Sequence, residues 1–197
     1  MRIVFAGDSI TDAGSYRKPV EEFTGYVKYV AEELGDKHQY FNRGISGNRV
    51  VDVLNRYEKD IFAEKPDILT LLIGINDVWR YFDSNLYTSP QEFSGYIREI
   101  LTKARKDFPN VKIIVLEPFL IPEPSRESWR PLLSQIIQEV RYAAVDLADD
   151  FVPLDGLFAY ENMTIESKKL SADGVHPAEE GQKVLAKYLL KSLKKFI

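Results

Sequence analysis

Ser9, Asp173 and His176 are the residues of this chain best suited to nucleophilic chemistry. A serine hydroxyl attacks only when a base takes its proton, and the base must be held by an orienting group. The chain has two histidines, His38 and His176. His176 follows Asp173 by three residues in the turn Asp173-Gly174-Val175-His176-Pro177. That spacing lets the carboxylate accept from Nδ1 while Nε2 faces a hydroxyl. Ser9, in Gly7-Asp8-Ser9, supplies the hydroxyl. Attack on a carbonyl develops an oxyanion, which needs donors aimed at one point. The backbone amides of Ser9 and Gly47 and the side-chain amide of Asn76 suit that task. Glycine at 47 admits close approach of a substrate to the backbone. The chemistry implied is acyl transfer through a serine, and so ester hydrolysis. Taken singly, each segment also reads as a turn or a helix cap, including Asn76-Asp77 as a turn dipeptide. The set of four, in one chain, favours the chemical reading.

These residues need a scaffold that gathers them. Five short apolar runs alternate with segments of helical spacing: Ile3 to Ala6, Tyr40 to Phe41, Ile68 to Ile73, Val111 to Leu116 and Phe151 to Leu154. Near-continuous apolar runs suit parallel strands covered on both faces. Between them, Phe23, Val27, Val30 and Leu34 recur at helical intervals, as do Val50, Leu54, Tyr57 and Ile61. Ser89-Pro90-Gln91-Glu92 is a capping box with proline at the first helical position. Further helices are marked by Leu133 to Ala144 and by Leu185 to Phe196, the last started by Pro177. Strand–helix alternation predicts an α/β fold with a five-stranded parallel sheet and helices on both faces. In such a sheet ligands sit beyond the carboxyl ends of the strands. Gly7-Asp8-Ser9, Asn42 to Asn48 and Gly74 to Asp77 each follow a strand there. His38 precedes the second strand, at the wrong end for catalysis, and is expected to be structural or solvated.

The composition narrows the function. The 197 residues predict one domain, 1–197. Twenty-six Lys and Arg against 30 Asp and Glu give a net charge of −4, which disfavours a nucleic-acid partner. Cysteine is absent, so no thiol nucleophile or thiolate metal site exists. Asp12 and the pair Asp149-Asp150 could be metal ligands, but no His or Cys accompanies them; no metal and no cofactor are expected. No apolar run spans a bilayer, and the N-terminus lacks the length of a signal sequence, so a cytoplasmic protein without a membrane partner is expected. A homo-oligomer is left open.

The four blocks, in order, resemble the SGNH, or GDSL-type, esterase and lipase superfamily, from Gly7 to Pro177. The resemblance implies a flavodoxin-like three-layer α/β/α sandwich, Ser9 as nucleophile, Ser9, Gly47 and Asn76 as oxyanion donors, and Asp173 and His176 as acid and base. Ile10 stands where the family name implies leucine, an apolar exchange. Gly25-Tyr26-Val27, Asn42 to Asn48 and Ile73 to Arg80 are similar to bacterial intracellular acetylxylan or xylo-oligosaccharide acetylesterases within it. The expected substrate is a small acyl ester, foremost an acetyl group on a carbohydrate. The alternatives are a lysophospholipase or thioesterase taking longer acyl chains, and a non-catalytic phosphate-binding module.

Two segments are candidates for substrate contact. Trp79 and Arg80 directly follow the third block and could wall the acyl or sugar site, with core packing the competing role. Phe119 and Ile121, in a loop stiffened by Pro118, Pro122 and Pro124, could bound an acyl pocket. The lysines near the C-terminus, Lys187, Lys191, Lys194 and Lys195, read as a solvated helix face.

Overall fold

A computed structural model describes residues 1–197. Its centre is a parallel sheet of five strands, β1 Arg2–Gly7, β2 Gln39–Gly44, β3 Ile68–Leu72, β4 Lys112–Leu116 and β5 Asp150–Val152, in the order β2-β1-β3-β4-β5. Every residue of β3 is buried, as a strand covered on both faces requires. The register brings three strand ends level, with Gly7 opposite both Gly44 and Leu72. The segments that follow these strands therefore leave the sheet side by side.

The helices are α1 Ser9–Asp12, α2 Gly25–Leu34, α3 Val50–Asn55, α4 Tyr57–Asp60, α5 Ile75–Ser84, α6 Pro90–Asp107, α7 Arg130–Leu147, α8 Leu154–Glu161, α9 Ser167–Leu170 and α10 Glu179–Leu193. α2 and α10 pack together on one side; α3, α6 and α7 form the layer on the other. One continuous cluster of 51 buried apolar residues joins the layers through the sheet. The expected three-layer α/β/α architecture with a five-stranded parallel sheet is what the chain adopts. α6 begins with the capping box: the Ser89 hydroxyl accepts from the Glu92 amide, and the Glu92 carboxylate accepts from the Ser89 amide.

The departures from sequence expectation have local causes. The helix expected from Val50 to Ile61 is broken at Arg56 (φ −104°, ψ 11°). The Arg56 guanidinium turns inward and donates to the carbonyls of Gly7 and Arg43, to Asn48 Oδ1 and to Asp60. Asn76-Asp77 is no turn but the first turn of α5, which starts from Gly74 at φ +128°. Leu154 opens α8 instead of closing β5, because Pro153 has no amide to continue the ladder. The last helix starts at Glu179, not Pro177, since Pro177 bridges to Ser171; Phe196 lies beyond the helix end. Gly44 is required by packing: a Cβ there would stand 2.2 Å from the Asp12 amide nitrogen, so α1 can rest directly on the end of β2.

Candidate active site

β1 delivers the chain to Asp8, whose carboxylate accepts from the Ile10 amide at 3.0 Å and caps α1. The next residue, Ser9, is half-buried at the start of that single turn. Its Oγ lies 2.9 Å from His176 Nε2. His176 Nδ1 lies 2.7 Å from Asp173 Oδ2. The other carboxylate oxygen of Asp173 accepts from the amides of Val175 (3.0 Å) and His176 (2.8 Å) and from Ser171 Oγ (3.1 Å). Partial burial raises the Asp173 pKa, but the His176 ring and these amides outweigh it and hold the carboxyl at about 2. Ionised Asp173 can only accept, so Nδ1 carries the hydrogen and Nε2 offers its lone pair to Ser9. The turn is fixed from outside, where the Ile121 amide donates to the Gly174 carbonyl at 2.8 Å.

The loop after β2 is wired to the same turn. Asp12 Oδ2 accepts from the amide and hydroxyl of Ser46, at 3.1 and 2.7 Å. The next residue, Gly47, has φ +83°, and a Cβ there would meet nothing within 4 Å. Glycine is needed for the backbone conformation, and the space over it is open. The Gly47 amide is bonded to no acceptor in the protein. Asn76 Nδ2 donates to the Asn48 carbonyl at 3.0 Å, and Asp77 Oδ2 accepts from the Val50 amide at 3.0 Å. These two side chains clamp the Gly47 loop against the start of α5. Ser9, Gly47, Asn76, Asp173 and His176 are thus joined by short hydrogen-bonded links at one rim of the sheet.

The sequence reading gave no role to Asp8 and Asp77 beyond turn chemistry. Both side chains are fully buried, and each leaves one oxygen without a partner. Burial pushes both carboxyls up to about 7 despite the amides they accept from. No polarity pattern signals this, because both residues sit in turn-like motifs. The buried Asp8 side chain also occupies the amide at the head of α1, the place a bound phosphate would take, against the phosphate-module alternative.

The expected substrate-contacting residues divide. The Trp79 ring stands 5.8 Å from the His176 ring. Arg80 pairs with Asp83 and lies 5.8 Å from the Trp79 ring centre. Phe119 and Ile121 are corrected: both are wholly buried, and Phe119 packs on Phe158 with ring centres 4.3 Å apart. At these two positions the loop turns into the core, so neither side chain is open to an acyl chain. Trp79 has neighbours the sequence did not announce, one of them, Trp129, buried. The Trp129 ring packs 5.2 Å from Trp79, and the Arg126 guanidinium lies 4.9 and 4.5 Å from those two rings. A lone tryptophan carried no signal of this. His38 flanks β2 at the opposite end, its ring 6.3 Å from Tyr40. Asp149 is held by Arg105 and Lys112, and Asp150 by Lys195.

The arrangement matches known proteins over almost its whole length. The family model for the GDSL-like Lipase/Acylhydrolase family matches residues 5–184. An acetylxylan esterase of Geobacillus stearothermophilus is 34% identical, over 98% of this chain and 93% of that protein. Its crystal structure superposes with a TM-score of 0.85 at 32% identity, covering 98% of this chain and 93% of that one. Variants of that enzyme with a serine and a histidine changed to alanine are described as catalytic mutants. An α/β hydrolase from the metagenome of Lake Arreo, Spain, gives a TM-score of 0.87 at 29% identity, covering 98% and 94%.

Proposed function

This chain belongs to the GDSL-like lipase/acylhydrolase family, and from that premise we propose that it hydrolyses small acyl esters through Ser9, with acetylated carbohydrate as its substrate class. Ser9 Oγ attacks the ester carbonyl carbon as His176 Nε2 takes the hydroxyl proton. Asp173 stabilises the imidazolium and keeps its ring in place. The carbonyl oxygen becomes an oxyanion that accepts from the amides of Ser9 and Gly47 and from Asn76 Nδ2. Ser9 stands at the first position of α1, where amides lack intrahelical acceptors, and Asn76 has a second amide hydrogen beyond the one given to Asn48. The tetrahedral adduct collapses, and the alcohol leaves with the proton from His176. Water then attacks the acyl-serine, giving its proton to His176, and Ser9 recovers that proton as the carboxylic acid departs.

One observation carries this reading: the relay from Ser9 Oγ to His176 Nε2 at 2.9 Å and from Nδ1 to Asp173 at 2.7 Å. The substrate class rests on the names of the relatives, an acetylxylan esterase and an acetyl-xylooligosaccharide esterase. Closure of Phe119 and Ile121 into the core supports a short acyl group. A fluorophosphonate should label the protein at a single serine, and Ser9→Ala should abolish labelling and lower turnover by about 10⁶-fold. Near-normal turnover in folded Ser9→Ala would eliminate the mechanism. A chain-length series of 4-nitrophenyl esters should peak at acetate; a peak at long acyl chains would move the protein to the lysophospholipase or thioesterase class.

A further inference from the structure

We propose that the groove built by Tyr81, Phe82 and Tyr87 against Ser128, Leu132 and Gln135 binds the outlying sugar rings of a neutral oligosaccharide whose acetylated unit lies at Ser9. The inference rests on the carbohydrate-ester reading and adds a second contact region to it.

Three observations carry it. First, α5 and the chain after it expose aromatic surface that packing does not explain. Tyr81, Phe82 and Tyr87 are 40%, 42% and 54% exposed, yet their rings stay in contact, 5.0 Å from Tyr81 to Phe82 and 5.4 Å from Tyr81 to Tyr87. Scattered exposed aromatics need no account, but a contiguous group lining a groove of about 420 Å³ does. Second, the group continues into the active site. Phe82 stacks on Trp129 at 5.8 Å with 16° between ring planes, Trp129 packs on Trp79, and Trp79 packs on His176. A chain of packed rings thus runs from the base to the groove, through the buried Trp129, and ties the groove to the active site. Third, the lining contains no charged residue. Its polar groups are the tyrosine hydroxyls, Ser128 and the Gln135 amide, which keeps one hydrogen spare after donating to Pro131.

Flat ring faces with neutral donors and acceptors suit a pyranose, which offers C–H faces and a rim of hydroxyls. A phosphorylated or carboxylated ligand would find no cation in the lining. Three ring contacts of 5.2 to 5.8 Å lie between His176 and Phe82, so a single acetylated sugar at Ser9 reaches only the catalytic end. A longer chain reaches both.

The test compares kcat and KM of the wild type and of Tyr81→Ala/Tyr87→Ala on acetylated xylo-oligosaccharides of increasing length, with 4-nitrophenyl acetate as the small ester. Both proteins are also titrated by calorimetry with unacetylated xylohexaose. KM of the wild type should fall with chain length. In the double variant KM for the longest substrate should rise about tenfold with kcat unchanged, because two half-covered rings no longer shield the apolar faces of the sugar from water. Hydrolysis of 4-nitrophenyl acetate should not change. Gln135→Ala, with the rings intact, should give a smaller rise in the same direction. A wild-type KM indifferent to length, or a double variant that retains it, overturns the proposal while leaving the carbohydrate-ester reading intact. If no acetylated sugar is hydrolysed, that reading falls by itself and the titration decides the groove: xylohexaose binding by the wild type but not by the variant upholds it, and no binding by either overturns it. A variant that changes only the sedimentation mass would make the groove an interface between copies, which also overturns it.

Discussion

Asn76 does two jobs with one amide. It donates to the Asn48 carbonyl, holding the Gly47 loop, and in the proposed mechanism its second hydrogen goes to the developing charge. The two roles separate by measurement. Asn76→Asp loses the donor to Asn48 and sets negative charge against the oxyanion, so turnover should collapse, and by far more than in Asn76→Ala, which loses the same clamp without adding charge. Asn76→Ala should lower kcat about 10²–10³-fold, with KM moving much less. A folded Asn76→Asp enzyme with most of its turnover would remove Asn76 from the oxyanion role. Asp8 and Asp77 set a different expectation. Their folded pKa values, about 7, lie above the ordinary 3.8. Between those pH values the folded chain keeps protons that the unfolded chain has released. Their contribution to stability is therefore full in acid and lost as pH rises through about 7, on the order of 4 kcal/mol for each group. Asp173, held at about 2, acts oppositely: its contribution is present above pH 3.8 and lost as pH falls toward 2. The melting temperature should accordingly peak in mild acid. Asp8→Asn, which keeps the acceptor for the Ile10 amide, should melt higher than the wild type at pH 8, by less at pH 5, and alike only below pH 3.8. Parallel melting curves across that range would contradict the buried-carboxyl account.

At the level of elements, Arg56 links more of the site than any periodicity reveals. It joins the ends of β1 and β2, the side chain of Asn48 and the buried carboxylate of Asp60. Asp60 has a second arginine, Arg17, which is 38% exposed against 12% for Arg56. Arg56→Met should cost about 3 kcal/mol or more, as breaking a buried pair does. Arg17→Met should cost about 1 kcal/mol or less, as at exposed pairs. Urea unfolding of both variants measures this, and equal destabilisation would deny Arg56 its linking role. The same residue shows where sequence reading stops. Ile68 to Ile73 announced a buried strand because its neighbours on both faces are apolar, and Ser89-Pro90-Gln91-Glu92 announced a helix start because its hydrogen bonds are local. Apart from Asp60, the acceptors that hold Arg56 are 8, 13 and 49 residues away, in Asn48, Arg43 and Gly7, which no local pattern encodes. Ser9, Asp173 and His176 were legible because histidine occurs only twice and His176 follows Asp173 at a fixed spacing in a turn. Phe119 and Ile121 were misplaced because an apolar loop at the rim reads alike whether it turns inward or out.

Across the whole molecule, the two halves of the relay are 167 residues apart in sequence. Ser9 follows β1, whereas Asp173 and His176 sit in the turn ahead of α10, which docks beside α2 through the Tyr26 amide and Gln182. Loop closure over that distance follows local helix formation. Refolding from urea should restore far-UV circular dichroism before fluorophosphonate labelling, with labelling tied to the phase in which α10 docks. Labelling that returns ahead of the helical signal would refute this order. The same separation has a consequence in time for the living cell. A ribosome makes the nucleophile 167 residues before its base. Throughout that interval the growing polypeptide carries a serine that cannot attack, and a degradation fragment that lacks the second turn is equally inert. Hydrolysis begins only after the base has been made and docked, so the activity certifies that one polypeptide carries both turns.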